Sequence, residues 1–217
     1  YANGSLNLLK DPQAEPQTLD DVHMALRRIA EQAERAGRVI NSVHDFVRRR
    51  DQAREAVAPQ ALIDAILPLV NLQARKLHVR VHIRVEARLP SVWCDRTMVE
   101  QVLLNLARNG MQAMDSPECQ DKVLILHVKR AASNPGNAWV EFAVTDLGAG
   151  IDADVATQLF NPFFTTKAEG MGLGLSLCRT VIEQHGGHLA FETHAPRGTV
   201  FRFTLPAASD SAITSNP

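Results

Sequence analysis

Four short stretches in a fixed order constrain this chain more than any other feature of it. They are Asn105-Leu106-Ala107-Arg108-Asn109, Asp146-Leu147-Gly148-Ala149-Gly150-Ile151, Phe160-Asn161-Pro162-Phe163-Phe164 and Gly170-Met171-Gly172-Leu173-Gly174-Leu175. Asn105 and Asn109 are four apart, so a helix puts both amides on one face while Leu103, Leu106 and Ala113 turn inward. Asp146 follows the alternating apolar run Val140, Phe142 and Val144, which places it at the end of a strand and ahead of a glycine turn. Gly170, Gly172 and Gly174 leave bare backbone in front of an apolar helix holding Leu175, Leu177 and Val181, a setting in which helix-start amides receive phosphate oxygens. Singly, an asparagine pair on a wet helix face, an Asp-x-Gly turn or a flexible glycine joint is ordinary. In one order over about seventy residues they describe a nucleotide pocket.

The rest of the composition narrows the class. A formal net charge of -1 excludes a general nucleic-acid binder, which needs a positive excess to meet phosphates. Arg48-Arg49-Arg50 is offset by Asp45, Asp51 and Glu55 and reads as a solvated helix end. Cys94, Cys119 and Cys178 are odd in number and lack disulfide or metal-site spacing, which favours a reducing, cytoplasmic setting. No run reaches the roughly twenty apolar residues that span a bilayer, and the N-terminus lacks a signal-peptide pattern. Any membrane or sensory segment is therefore expected outside this sequence.

Two kinds of periodicity divide the chain. Tyr1 to Lys10 reads as the inside of a helix that stops at Asp11-Pro12, as in a piece of something longer. Thr18 or Asp20 can cap a second helix continuing to about Arg54, along which Val22, Leu26, Ile29, Ala33, Ala36, Ile40, Val43 and Val47 follow a bundle seam. Residues 1–55 are thus expected to form a helical hairpin that dimerises into a four-helix bundle, or else a helix lying on the globular domain. Beyond Pro59 the pattern turns mixed. Ala61 to Lys76 reads as a helix interrupted or kinked near Pro68, Val79 to Val85 as a strand with one buried face, and Asp95 to Met114 as a helix. Strands follow at Lys122 to Arg130 and Trp139 to Thr145, joined at Asn134-Pro135-Gly136, then a helix from about Gly172 to Gly186-Gly187. Strands at His188 to Thr193 and Thr199 to Leu205, joined around Ala195-Pro196-Arg197-Gly198, close the domain. The expected class is α+β, an α/β sandwich over residues 57–206 with a mixed sheet covered on one face by helices, and a mobile tail at 207–217.

The four stretches resemble the N box, first glycine box, F box and second glycine box of sensor histidine kinases, over roughly residues 57–206. Such boxes belong to the GHKL group of ATPases, with gyrase B, MutL-type repair ATPases and Hsp90 chaperones. Gly-Met-Gly followed by Ser176-Leu177-Cys178-Arg179 is similar to kinases related to the oxygen sensors of nitrogen fixation. The resemblance implies an ATP site built from Asn105, Asn109, Asp146, Gly148, Gly150, Ile151, Phe160, Phe164, Thr166, Lys167, Gly170, Gly172, Leu173, Gly174 and Leu175. It also implies that Asn109 binds the Mg2+ bridging the phosphates, supported by Asn105. A neutral amide oxygen can do so without adding negative charge beside a triphosphate. Asn105 stands where chaperone-type relatives carry a glutamate that activates water, and an amide cannot accept that proton, so transfer to an external acceptor is favoured over hydrolysis.

The Asp146 carboxylate can accept the amino hydrogens of adenine and so reject guanine, which presents a carbonyl at that edge. Residues 151–170 are the expected ATP lid, with Phe160, Phe163 and Phe164 as its hydrophobic anchors. Lys167 fits either a point-charge contact to phosphate or plain surface. Three positions depart from the family pattern: Leu147 replaces an asparagine, Met171 a threonine and Gly110 an alanine. Gly110 costs the helix roughly 1 kcal/mol of propensity without an evident return.

The phosphoacceptor is missing. No His-Glu-x-x-x-Pro occurs, and Ala2-Asn3-Gly4-Ser5-Leu6-Asn7-Leu8-Leu9 resembles the stretch that follows it, so the acceptor is expected a few turns before Tyr1. His44-Asp45 lacks the proline and lies on the second helix. The implied protein is a homodimeric kinase whose partner is the receiver domain of a response regulator. A non-catalytic, nucleotide-gated dimerisation module is the alternative, and a self-contained ATPase is disfavoured by Asn105. On this reading the purified chain binds ATP but takes up no label from γ-labelled ATP; covalently labelled protein contradicts it.

Overall fold

The computed structural model describes residues 22–30, 54–131, 138–167 and 170–208. The chain divides into two compact units, Tyr1–Asp51 and Gln52–Pro217. In the first, residues 22–30 are helical. The rest of the expected hairpin, the seam from Ala33 to Val47, the turn Asn134-Pro135-Gly136 and the tail after Ala208 lie outside the described residues. Among the described residues no helix is long and apolar enough to cross a membrane.

The second unit runs β1 (Glu55–Val57), α1 (Pro59–Leu77), β2 (Arg80–Val85), β3 (Val92–Cys94), α2 (Arg96–Ala113), β4 (Val123–Arg130), β5 (Trp139–Asp146), α3 (Ala153–Gln158), α4 (Gly174–Gln184), β6 (Leu189–Thr193) and β7 (Thr199–Pro206). Five strands form a mixed sheet in the order β2-β4-β5-β7-β6, with β2 and β4 parallel and the other neighbours antiparallel. Register decides which side chains face the helices. Leu126 lies opposite Val144, Val128 opposite Phe142, and Phe142 opposite Phe203, so these apolar residues share one face. Phe142 and Phe203 stack there with ring centroids 5.0 Å apart. Residues of the opposite face include Lys129 and Glu141, whose charges lie 3.3 Å apart. Continuing the alternation by two residues from Val144 puts the side chain of Asp146 on the helix-covered face.

The helices form where the apolar spacing demands. α1 buries Leu62, Ile63, Ile66, Val70 and Ala74, and α2 buries Val99, Val102, Leu103, Leu106 and Ala107. The interruption expected at Pro68 does not occur, and α1 is one helix through it. Pro68 lies on the exposed side while Ile66 and Val70 are anchored in the core, so the carbonyl deprived of its partner is left to water. β2 is an edge strand, so its apolar side is only partly covered and Ile83 stays 41% exposed. Three elements escape the sequence reading. β1 and β3 pair antiparallel but have three residues each, too few to show a period, and β1 occupies residues expected to lie at or just past the hairpin's end. The short helix α3 lies inside the lid and has no buried residue to mark it. Two residues expected in the tail are bonded to the domain. Ala207 donates to the Ala138 carbonyl at 2.8 Å and Ala208 to that of Ser91 at 2.7 Å, which extends the edge of the fold past β7.

One buried contact joins the start of α2 to the end of α4. Asp95 caps α2, accepting from the Met98 amide at 3.0 Å, and its own N–H donates to Nε2 of buried His185 at 2.9 Å. His185 Nδ1 lies 2.7 Å from the Val181 carbonyl. One ring nitrogen accepts and the other donates, so the ring is held neutral in one tautomer. Beyond it, Gly186 takes the left-handed conformation (φ 78) and the Gly187 amide reaches back to the Ile182 carbonyl at 2.9 Å, the cap foreseen at the glycine pair. Burial lowers the His185 pKa, and the Arg54 charge adds to this. The folded protein therefore resists a proton that the unfolded chain accepts, and this contribution is complete above about pH 6.5 and lost as the pH falls below it. His185→Gln should cost about 1–3 kcal/mol at neutral pH and flatten the loss of stability between pH 7 and 5, as measured by urea unfolding. A variant as stable as the parent, with the same pH slope, contradicts this role.

Candidate functional site

Asp146 ends β5 as a carboxylate 2% exposed, and three glycines, one of them two residues on and two from distant parts of the chain, approach it closely. A Cβ at Gly110 would stand 3.2 Å from Asp146 Cβ and 2.9 Å from Leu124 Cδ1. One at Gly148 would stand 2.8 Å from Asp146 Oδ1 and 2.7 Å from the Ala113 carbonyl, and one at Gly198 would strike the Asp146 carbonyl. Gly110 therefore has the account that its helix position withheld: it lets α2 lie directly on the carboxylate. The Gly148 amide donates to Asp146 Oδ1 at 2.9 Å, and Arg197 Nε donates to the Gly148 carbonyl at 3.0 Å, which fixes the turn. Burial pushes the Asp146 pKa up to about 6, against the pull of the Gly148 and Thr199 amides and of the nearby His194 charge. No cation forms an ion pair with it among the described residues, so it is an acceptor held ready in the interior.

The amide pair lies on α2 as its spacing requires, but the two side chains have different neighbours. Asn105 Nδ2 donates to the thiol of Cys178 at 3.2 Å, and a Cβ at Gly174 would stand 2.7 Å from the same nitrogen. Burial pushes that thiol up to about 12, so it stays neutral and inert. Asn109 Oδ1 accepts from Lys167 Nζ at 3.1 Å, and Gln112 Oε1 accepts from the same ammonium at 2.6 Å. Gln112 was not among the candidates. The signal for it was on the page as an amide at positions 105, 109 and 112, spaced four and three along one helix face. Partial burial, then the charge of Arg108, lower the Lys167 pKa.

The expected lid segment is held at several points along its second half. Phe160 is a true anchor, 6.0 Å from the Phe191 ring and covered by the Arg179 guanidinium at 3.7 Å. Phe163 is not: it is 69% exposed, with a left-handed backbone (φ 68) whose amide donates to the Gly172 carbonyl at 2.9 Å. Gly172 itself has φ 67, and a Cβ there would strike the Phe163 backbone, so the F box and second glycine box meet chain to chain. Phe164, Ile151, Gly150 and Leu175 are half-buried, and Thr166 is exposed. Thr165 Oγ1 accepts from the Lys167 amide at 3.1 Å, and the Gly170 amide donates to the Lys167 carbonyl at 3.1 Å, a tight turn next to α2. Leu173 precedes α4 without a side-chain cap, which leaves the first amides, beginning with Gly174, for an incoming anion.

An open groove of ≈ 500 Å³ lies between α1 and α2 and reaches Asn105, Arg108 and Gln112. It does not reach Asp146 or the glycine-rich start of α4.

Residues 94–209 match the family described as histidine kinase-, DNA gyrase B-, and HSP90-like ATPase. The chain is 39% identical to the C4-dicarboxylate transport sensor protein DctS of Rhodobacter capsulatus over 98% of its own length and 31% of that protein's. It is 39% identical to the sensor protein FixL of Bradyrhizobium diazoefficiens over 97% of its own length and 40% of that protein's. It thus spans well under half the length of these curated relatives. The catalytic domain of histidine kinase ThkA superposes with a TM-score of 0.60 at 29% identity, covering 72% of this chain and 97% of that domain. Full-length ShkA, solved with AMPPNP, shares the fold at a TM-score of 0.65 and 23% identity, over 93% of this chain and 42% of its own. The chain belongs to the histidine kinase-, DNA gyrase B- and HSP90-like ATPase family, as the ATP-binding catalytic portion of a sensor histidine kinase.

Proposed function

We propose that this chain binds Mg-ATP and delivers the γ-phosphoryl group to a histidine upstream of Tyr1, from which it passes to an aspartate of a response regulator receiver domain. The observation that carries the reading is the buried Asp146 at the end of β5, a carboxylate that accepts from backbone amides but faces no cation in an ion pair among the described residues. It keeps lone pairs beyond those two bonds, and adenine supplies a donor for them. Its amino group bonds Asp146, the uncapped start of α4 faces the phosphates, and Arg108 and Lys167 bring positive charge from α2 and the lid. Asn109 and Gln112 already converge two neutral oxygens on one cation, a donor set that suits a hard divalent ion, so Asn109, with Asn105 behind it, would hold magnesium. When bound, that ion neutralises charge developing on the phosphates. Asn105 is tied to Cys178 and cannot take a proton, so water is not activated there and the phosphoryl group is kept for the histidine. Positioning and electrostatics suffice for such a transfer.

Residues 1–55 would form the hairpin that dimerises and presents the histidine, residues 57–206 the catalytic domain, and the setting would be cytoplasmic, with any membrane anchor elsewhere. A receiver domain as partner is supported by the relatives named as sensor proteins and by the fold's likeness to ThkA. ThkA itself has been solved in complex with the response regulator TrrA.

Calorimetric titration with a non-hydrolysable ATP analogue tests the site. Asp146→Ala should weaken binding about tenfold to a hundredfold, the loss of a hydrogen bond to a charged acceptor. Retained affinity removes Asp146 from the pocket. With a pKa of about 6, Asp146 is largely ionised at pH 8 and largely protonated at pH 5. Adenine favours the ionised form, so affinity should fall severalfold as pH drops through 6, and Asp146→Asn should lose that part of the dependence. Gly110→Val should lift α2 from the carboxylate, costing about 1–3 kcal/mol of stability together with nucleotide affinity. Unchanged thermal midpoint and affinity would refute the close approach.

A further inference from the structure

The lid lysine makes its two side-chain contacts in an unusual place. Lys167 Nζ sits 3.1 Å from Asn109 Oδ1 and 2.6 Å from Gln112 Oε1, across 58 and 55 residues of sequence. It has no carboxylate partner among the described residues, although Asp and Glu are abundant in the chain. A surface lysine normally finds water or an acid; this one uses two of its three N–H donors on neutral amide oxygens of one helix face. Those are the oxygens that a hard cation would want. The backbone at the same residue builds the lid turn, since the Lys167 amide bonds Thr165 Oγ1 and its carbonyl accepts from Gly170.

We propose that Asn109 and Gln112 form a two-oxygen cation seat, held by the Lys167 ammonium in the metal-free protein and surrendered to the magnesium of an incoming Mg-nucleotide, so that the metal itself unlatches the lid. This rests on the reading of Asn109 as a magnesium ligand, and it adds Gln112 as the second oxygen and Lys167 as the stand-in ion. An ammonium and a dication cannot share the same two oxygens, so binding of one expels the other. Expulsion frees Lys167 beside Arg108, where both charges can turn to phosphate oxygens. Because the seat is neutral, its preference is set by charge density and the metal prevails when phosphates bring it in.

Two measurements test this. The first is hydrogen exchange of the Phe164–Lys167 amides in nucleotide-free protein, comparing the parent with Lys167→Met, Gln112→Leu and the double variant. The ammonium latch requires severalfold faster exchange in each single variant and no further gain in the double; exchange equal to the parent overturns it. The second is magnesium titration of binding of a non-hydrolysable ATP analogue. Gln112→Leu should raise the half-saturating magnesium concentration about threefold or more. An unmoved magnesium midpoint overturns the shared seat even if the lid loosens. Failure of the parent to bind nucleotide would instead remove the Mg-ATP reading, and the nucleotide-free exchange separates that failure from failure of the latch.

Discussion

A carboxylate buried at the end of the central strand is the constraint around which the catalytic unit is arranged. Asp146 cannot be solvated where it lies, and burial has pushed its pKa to about 6, so the chain around it must supply donors and stay close enough to exclude water. Glycines at 110, 148 and 198 make that enclosure possible, one on a helix, one in a turn and one before the closing strand. None has a shared local reason to be glycine. At each, a side chain would collide with Asp146 as well as with its neighbours.

Contacts at two levels set the distance between α2 and α4. At one end Asp95 and His185 lock the helices through a neutral imidazole; at the other Asn105 meets Cys178 and Gly174. The helices thus run antiparallel, and the start of α4 is held against the amide face of α2. The lid is joined to the same frame by the Phe163–Gly172 backbone bond and by Lys167. The proposed nucleotide and metal sites and the expected lid are therefore parts of one packed arrangement, in which a shift of α2 reaches all three.

Legibility followed the range of the interaction. Periods of two and of three to four residues showed most strands and helices, because burial of one face is repeated along each element. Elements too short to repeat, β1, β3 and α3, stayed silent. Pro68 misled because proline breaks a helix only where its missing hydrogen bond is buried, and in α1 that side faces water. Phe163 was grouped with the anchors by composition, yet its backbone conformation turns the ring outward, whereas Phe160 is pinned between Phe191 and Arg179. Gln112 was visible as the third amide on a stripe, but a lone glutamine on a helix carries no chemistry until a cation is seen against it.

Residue type and local spacing were enough to determine the order of the boxes, the helix that carries the amides, the strand that ends in an acid and the glycine-rich start of a helix. Those are near-neighbour facts, set by backbone sterics and periodic burial. Only the tertiary structure decided that Gly110 exists for Asp146, that Cys178 holds Asn105, and that Lys167 rests on Asn109 and Gln112. Each of these depends on atoms brought together from positions tens of residues apart, where desolvation and close packing fix pKa, tautomer and contact. A linear pattern names the groups, but only the folded interior sets the dielectric and the distances under which they act.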